Sequence, residues 1–419
     1  MFEKTTLPNG FRILTSVNSN VRSATVAMFV SGGSRYESDE LGGAFHFIEH
    51  MCFKGTNRRP TPQEISETIE GVGGMMNAST DREETIFWLK VASTHLPLAI
   101  DLLVDMLGDS MFDINEMEKE RQVILEELAM TRDRPEDLVF QVLENTLWPN
   151  QPLGRDVGGT PTSVRGITKS NLLSCMQRQY TPQNLVLVVT GNVIHEEIIE
   201  LLSHKFQNWF DGPPMKFFPL EETGSPSNIS LEYRSSDSAH ICLGLPALAS
   251  SDPNRFALRV LNTVLGDGMS SRLFLELREK AGLVYTVNSE VCAFRDTGAL
   301  FTYCATQPKN VYRSIELILR EMEKLTLGVT EKEIQKAKEQ IKGRILLRME
   351  DTLNTALWIG SQELLRNCIM TPDDVTAEID KVTTNDIVKL MELIFVQQKI
   401  CLGVVGPYKS TRRFEKLLL

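Results

Sequence analysis

Residues 209–230 read WFDGPPMKFFPLEETGSPSNIS, a run dense in Pro, Gly and Ser that interrupts every hydrophobic period around it. Such a run punctuates a chain between folded bodies. The segment predicts a linker over 211–230 and two domains, 1–210 and 231–419. A chain of 419 residues, 42% hydrophobic, has the length for two cores.

The order of elements repeats on either side of that linker. Before it come an apolar strand (ATVAMFV), a helix (GGAFHFIEHMCF) and a strand (ETIFWLKVA). Then follow a helix (LPLAIDLLVDML), a long charged helix (INEMEKERQVILEELAM), another helix (PEDLVFQVLENTL) and a late strand (NLVLVVTGN). After it come AHICLGLP, RFALRVLNTVL, GALFTYCAT and VYRSIELILREMEKL, then EKEIQKAKEQIKGRILLRM, LNTALWIGSQELL and KICLGVVGP. Matching order without close identity is the trace of a diverged internal duplication. The predicted class is α+β: two similar domains, each a mainly antiparallel sheet with helices packed on it.

Composition excludes several functions. No stretch has the apolar length to span a bilayer. The net charge of −11 opposes nucleic-acid binding, which needs a basic face. The N-terminal MFEKTTLPNGFRILT lacks the regions of a signal peptide and reads as a strand pair about the Asn9-Gly10 turn. A cytoplasmic location is expected, and a mature organelle chain that has lost its targeting segment would read the same. The seven cysteines are scattered, with no C-x-x-C pair, and are expected as free thiols in a reducing compartment.

The chemistry concentrates in HFIEH, residues 46–50. On a helix, His46 and His50 lie one turn apart on one face, as two imidazoles gripping one metal must. Glu49 stands beside them, placed to take a proton from an attacking water. With six histidines in the whole chain, chance is a poor account of this inverzincin spacing. Catalytic zinc needs a third protein ligand and one open position. In the helix after Phe112, the apolar stripe Ile114, Met117, Ile124 and Leu128 carries Glu120 and Glu127 on its face and turns Glu126 to solvent. A carboxylate on a buried face needs a metal or hydrogen-bond partners, so periodicity nominates both Glu120 and Glu127. A core salt bridge is the competing account.

HFIEHMCFKGT with ERQVILEEL around Glu127 resembles the pitrilysin–insulinase metallopeptidases, and most of all the β subunit of the mitochondrial processing peptidase and its bacterial homologues. The likeness extends to NASTDREET, QPLGRDVGGT, YTPQNLVLVVTGN and SSRLFLELREKAGLVYTV. The resemblance implies one Zn²⁺ per chain on His46, His50 and Glu127, Glu49 as catalytic base, and Glu120 supporting the ligands from behind. It implies a catalytic first domain and a substrate-contacting second one. It also implies a substrate edge strand at Asn77 and Ala78, further peptide contacts at Arg278 and Tyr285, and a homodimer enclosing a chamber. The expected activity is zinc-dependent endopeptidase action on peptides or unstructured segments, like that of a processing peptidase. The alternatives are a non-catalytic subunit of a larger complex, or a catalytic subunit needing a distinct partner chain.

Overall fold

A computed structural model describes residues 2–206, 209–210, 212–221 and 228–418. Two compact units emerge. The first comprises Met1–Leu128, Asp156–Phe218 and Leu346–Thr371, and the second Ala129–Arg155, Pro219–Ile345 and Pro372–Leu419.

Among the described residues, the first unit has a six-stranded sheet built from β1 (Glu3–Thr6), β2 (Arg12–Val17), β3 (Ser23–Val30), β4 (Met75–Thr80), β5 (Thr85–Ala92) and β6 (Leu185–Gly191). The order is β1-β2-β6-β3-β5-β4, antiparallel throughout except for β2 beside β6. Strand β3 is apolar from Val26 to Val30 because it is buried on both faces. Val26, Met28 and Val30 enter the main core with Ile48, Ile100 and Leu103, while Ala27 and Phe29 point the other way onto Ala356 and Ile359. That second face is covered by the helix Thr352–Arg366, whose Gly360 lies so close that a Cβ there would stand 2.1 Å from the Phe29 ring.

The second unit repeats the plan with β7 (Ile229–Tyr233), β8 (Ala239–Ala247), β9 (Val284–Ala293), β10 (Gly298–Thr306) and β11 (Cys401–Gly406). Its order is β7-β11-β8-β10-β9, with β7 parallel to β11. Counting strands along the chain from β2 and from β7, both sheets follow one permutation: first, fifth, second, fourth, third. Shared permutation, with the single parallel pair at the same place, is the structural form of the duplication. The helix Pro135–Leu147 packs Leu138, Val139 and Leu143 onto Cys242, Phe301 and Val405.

The units therefore differ from the linear halves 1–210 and 231–419. Each sheet needs a helix on its second face, and each takes it from the other half of the sequence, Thr352–Arg366 in one case and Pro135–Leu147 in the other. The two are equivalent elements of the repeat, each following a long charged helix. The expected linker differs as well. Trp209, Phe210, Met215 and Phe217 pack on the first core, the Trp209 indole N–H donates to Tyr180 O at 2.7 Å, and Phe218 N–H donates to Arg35 O at 3.0 Å. Apolar side chains make this half of the segment part of the first unit. Residues 211 and 222–227 of the expected linker lie outside the described residues. Among the described residues, no helix is long and apolar enough to cross a membrane.

Candidate metal centre and catalytic site

The helix carrying HFIEH runs Ala44–Cys52 and starts at Gly43, which sits at φ 90°. A Cβ there would stand 2.3 Å from Gly158 O, so glycine serves both the left-handed backbone and the close approach of the 158–159 loop. The carboxylate of Glu37, fully buried, accepts the N–H of Gly43 and of Phe45, each at 2.8 Å. An anion bonded to the first free amides fixes where the helix begins and in which direction it points. Phe45, Phe47, Ile48, Met51 and Cys52 are then buried, which leaves His46, Glu49 and His50 on the remaining face.

His46 Nε2 and His50 Nε2 stand 3.2 Å apart. Glu127 Oε2 lies 3.7 Å from the first and 3.5 Å from the second. Two nitrogens at tetrahedral zinc–ligand distances would stand about 3.3 Å apart, and a carboxylate oxygen similarly. The observed triangle fits. Its three atoms form a group able to hold a metal ion, and its donor set of two imidazoles and a carboxylate suits a borderline-soft divalent cation. Burial, with the neighbouring His50 charge adding to it, lowers the His46 pKa to about 4. The ring is therefore neutral at pH 7, with a lone pair to give. Glu127 is half exposed, its side chain 45% accessible, against 22% for His46 and 15% for His50. Glu126 is exposed.

The two imidazoles are held differently. His50 Nδ1 meets Glu120 Oε2 at 2.9 Å, and Glu120 Oε1 meets Lys54 Nζ at 2.7 Å. With its proton committed at Nδ1, His50 keeps Nε2 free to ligate. Burial works to raise the Glu120 pKa, but hydrogen bonds from Lys54 and His50 outweigh it and the net shift is downward. The buried carboxylate stays ionised. His46 Nδ1 is buried with no hydrogen-bond partner among the described residues, facing the place where a Gly158 side chain would begin. Packing and the contact of its Nε2 with His50 orient that ring. Glu120→Ala should consequently weaken metal retention by about 10–100-fold without abolishing it, read as the free-zinc concentration at half occupancy. An unchanged value would remove Glu120 from the site.

Glu49 accepts a hydrogen bond from Thr80 Oγ1 at 2.6 Å. Burial raises the Glu49 pKa, and the Thr80 bond offsets only part of the rise. A carboxylate poised between burial and the side-chain and backbone hydrogen bonds of Thr80 is suited to accepting and returning a proton. Thr80 ends β4, the edge strand of the first sheet. On that edge Ala78 N–H donates to Asn77 Oδ1 at 2.8 Å. Arg278 and Tyr285 belong to the second unit. Arg278 is exposed, its guanidinium 4.9 Å from the Phe274 ring centre. Tyr285, 60% exposed, accepts at its hydroxyl from Gln307 Nε2 at 3.1 Å.

Comparisons with known proteins meet this geometry from outside. Residues 12–161 match the family model described as insulinase (peptidase family M16), and residues 166–341 match the one described as peptidase M16 inactive domain. The chain belongs to the insulinase family, peptidase family M16. An uncharacterized zinc protease of Streptomyces coelicolor is 38% identical over 97% of this chain and 90% of its own. A second, YmxG of Bacillus subtilis, is 33% identical over 97% and 98%. In fold, the crystal structure of a protease from Helicobacter pylori superposes with a TM-score of 0.89 at 22% identity, over 97% of this chain and 99% of that one.

Within this insulinase-family chain, the two matches divide as the chemistry does. HFIEH and Glu127 both fall in 12–161, and the segment named for an inactive domain carries no such motif. Two of the four remaining histidines are structural. His195 bridges Thr5 and Thr15 at 2.8 Å each, and His240 bonds Tyr303 at 2.9 Å. No disulfide forms among the cysteines, of which Cys368 is exposed. Sequence reasoning passed over Glu37, Lys54 and Thr80. Lys54 and Thr80 lay inside motifs already quoted, four residues after His50 and at the end of NAST. Glu37 had no such signal.

Proposed function

We propose that the chain is a zinc-dependent endopeptidase binding one Zn²⁺ through His46, His50 and Glu127, with Glu49 as general base. The convergence of His46 Nε2, His50 Nε2 and the Glu127 carboxylate, with Glu49 adjacent, carries the reading. The names of the zinc-protease relatives support it. Zinc, when bound, polarises the scissile carbonyl and acidifies the attacking water. Glu49 takes that proton at its carboxylate and returns it to the leaving amine. Glu120 holds the His50 tautomer, and Thr80 holds the Glu49 carboxylate in place. The substrate peptide adds as a strand to β4 beside Asn77 and Ala78, pairing through main-chain groups that tolerate many sequences. Peptides and unstructured segments satisfy that mode, as in a processing peptidase, whereas a folded protein has no free strand to offer.

The test is digestion of a peptide library by the zinc-loaded chain, read by mass spectrometry. Internal cleavage abolished by a chelator and restored by zinc is expected. No cleavage would support a non-catalytic subunit instead, and cleavage only after adding another protein would support a catalytic subunit needing a partner.

The assembly we propose is a homodimer enclosing a chamber, in which Arg278 and Tyr285 of one protomer complete the zinc site of its partner. Their exposure in the second unit and the twofold habit of homo-oligomers support it. Mixing Glu49→Gln chains with Arg278→Ala/Tyr285→Phe chains, under confirmed subunit exchange, should then revive one site per mixed dimer. If mixing restores no activity, both parts of each site come from one chain.

A further inference from the structure

Arg278 and Tyr285 are each presented by a break in regular backbone. The segment Phe274–Lys280 is a π-helix, a conformation met mostly at functional sites, and it carries exposed Arg278 next to fully buried Leu277. Strand β9 then pairs with β10 through Val284 opposite Thr306 and Thr286 opposite Ala305. Tyr285, between them, has no partner on β10. An extra residue of that kind bends the strand and re-aims its side chain.

The bulge is fastened from behind. Leu283 O, just before β9, accepts from Thr306 Oγ1 and, at 3.4 Å, from Asn310 Nδ2. Gln307 follows Thr306 directly, and its carbonyl accepts the Asn310 N–H at 2.9 Å. Pro308 after it favours the extended backbone it adopts, φ −70° and ψ 144°. Half-buried Gln307 is thereby fixed beside the bulge, and its Nε2 donates to the Tyr285 hydroxyl at 3.1 Å.

A phenol oxygen both accepts and donates, but it has one proton. With Gln307 donating, acceptance is satisfied inside the protein and the proton is left for the outer side, where Tyr285 is 60% exposed. A bond donated to the oxygen also polarises the O–H that leaves it. We infer that Gln307 is a positioning residue that sets Tyr285 as a hydrogen-bond donor toward the carbonyl oxygen of bound peptide. The inference rests on the reading of Tyr285 as a substrate contact. An acceptor at 307 would draw the proton inward and turn a lone pair on the substrate, so polarity at this position matters more than shape.

The test compares Gln307→Glu with Gln307→Ala in the zinc-loaded full chain. Glutamate has the shape of glutamine but can only accept when ionised, and its charge-assisted bond outlasts a neutral one. Gln307→Glu is expected to lower kcat/KM for a defined peptide by about tenfold or more, and Gln307→Ala by about threefold, since water replaces the lost donor. A merely structural glutamine would tolerate its isostere at least as well as alanine, so the order of the two variants is the readout. Zinc content and melting temperature should stay at the parental values in both. In a Tyr285→Phe background the two should become equal, because the hydroxyl through which position 307 acts is gone. Gln307→Glu as active as the parent overturns the inference, and so does a glutamate penalty that persists in Tyr285→Phe, which would be charge acting on the substrate directly. If Tyr285→Phe turns over peptide like the parent, the reading of Tyr285 falls and the inference with it. If Tyr285→Phe is slow and Gln307→Glu is not, the inference alone falls.

Discussion

Glu49→Gln is expected to keep zinc at wild-type occupancy while peptide turnover falls by about 10²–10⁴-fold, the usual worth of a general base. The carboxamide has the volume of the carboxylate and still accepts the Thr80 Oγ1 hydrogen bond, now 2.6 Å long, so the helix Ala44–Cys52 has no reason to move. What is lost is the ability to take a proton. Metal content by elemental analysis and turnover of a defined peptide separate the two roles. Wild-type turnover would remove Glu49 from the chemistry. Loss of zinc together with activity would make it a ligand. Peptide should also remain bound in the slow variant, which gives a route to natural substrates.

Much of this arrangement was legible in the sequence because helical phase is local. The spacing of His46 and His50 places both rings on one face whatever packs around them. The stripe Met117, Ile124 and Leu128 turns Glu120 and Glu127 inward and Glu126 outward. In the structure Glu120 is 6% exposed and meets His50, while Glu127 is only half covered and meets the space between the imidazoles. Phase thus selected both carboxylates but could not say which faces the metal position.

What escaped the sequence is non-local. Hydrophobic period tells which face of Pro135–Leu147 or Thr352–Arg366 is buried, not which sheet buries it, so the exchange of helices between the two halves of the sequence was invisible. Glu37 lies in a short polar turn, SRYESDE, that has no period to break. It is conspicuous only once Gly43 and Phe45 are folded back onto it. The prolines of 209–218 suggest a linker, but its aromatic residues are the better guide to where it packs.

The second large effect concerns the proposed third ligand, Glu127. Glu127→Ala should lose zinc on dialysis against zinc-free buffer, and Glu126→Ala should keep it. The two residues are neighbours on one helix, Ile114–Asp133, with the same charge and the same helix propensity, so dipole, net charge and backbone effects cancel between the variants. Only direction differs: Glu127 Oε2 reaches within 3.7 Å of both imidazoles, and Glu126 points to solvent. The Glu127 side chain is 45% exposed, so truncation opens no sealed cavity, and the metal-free variant should melt within about 0.5 kcal/mol of the metal-free parent, as surface changes do. That control matters, because a folding defect would also release zinc. Zinc loss with apo stability unchanged identifies a ligand, whereas zinc retained in Glu127→Ala and lost in Glu126→Ala would overturn the geometry on which the metal centre rests.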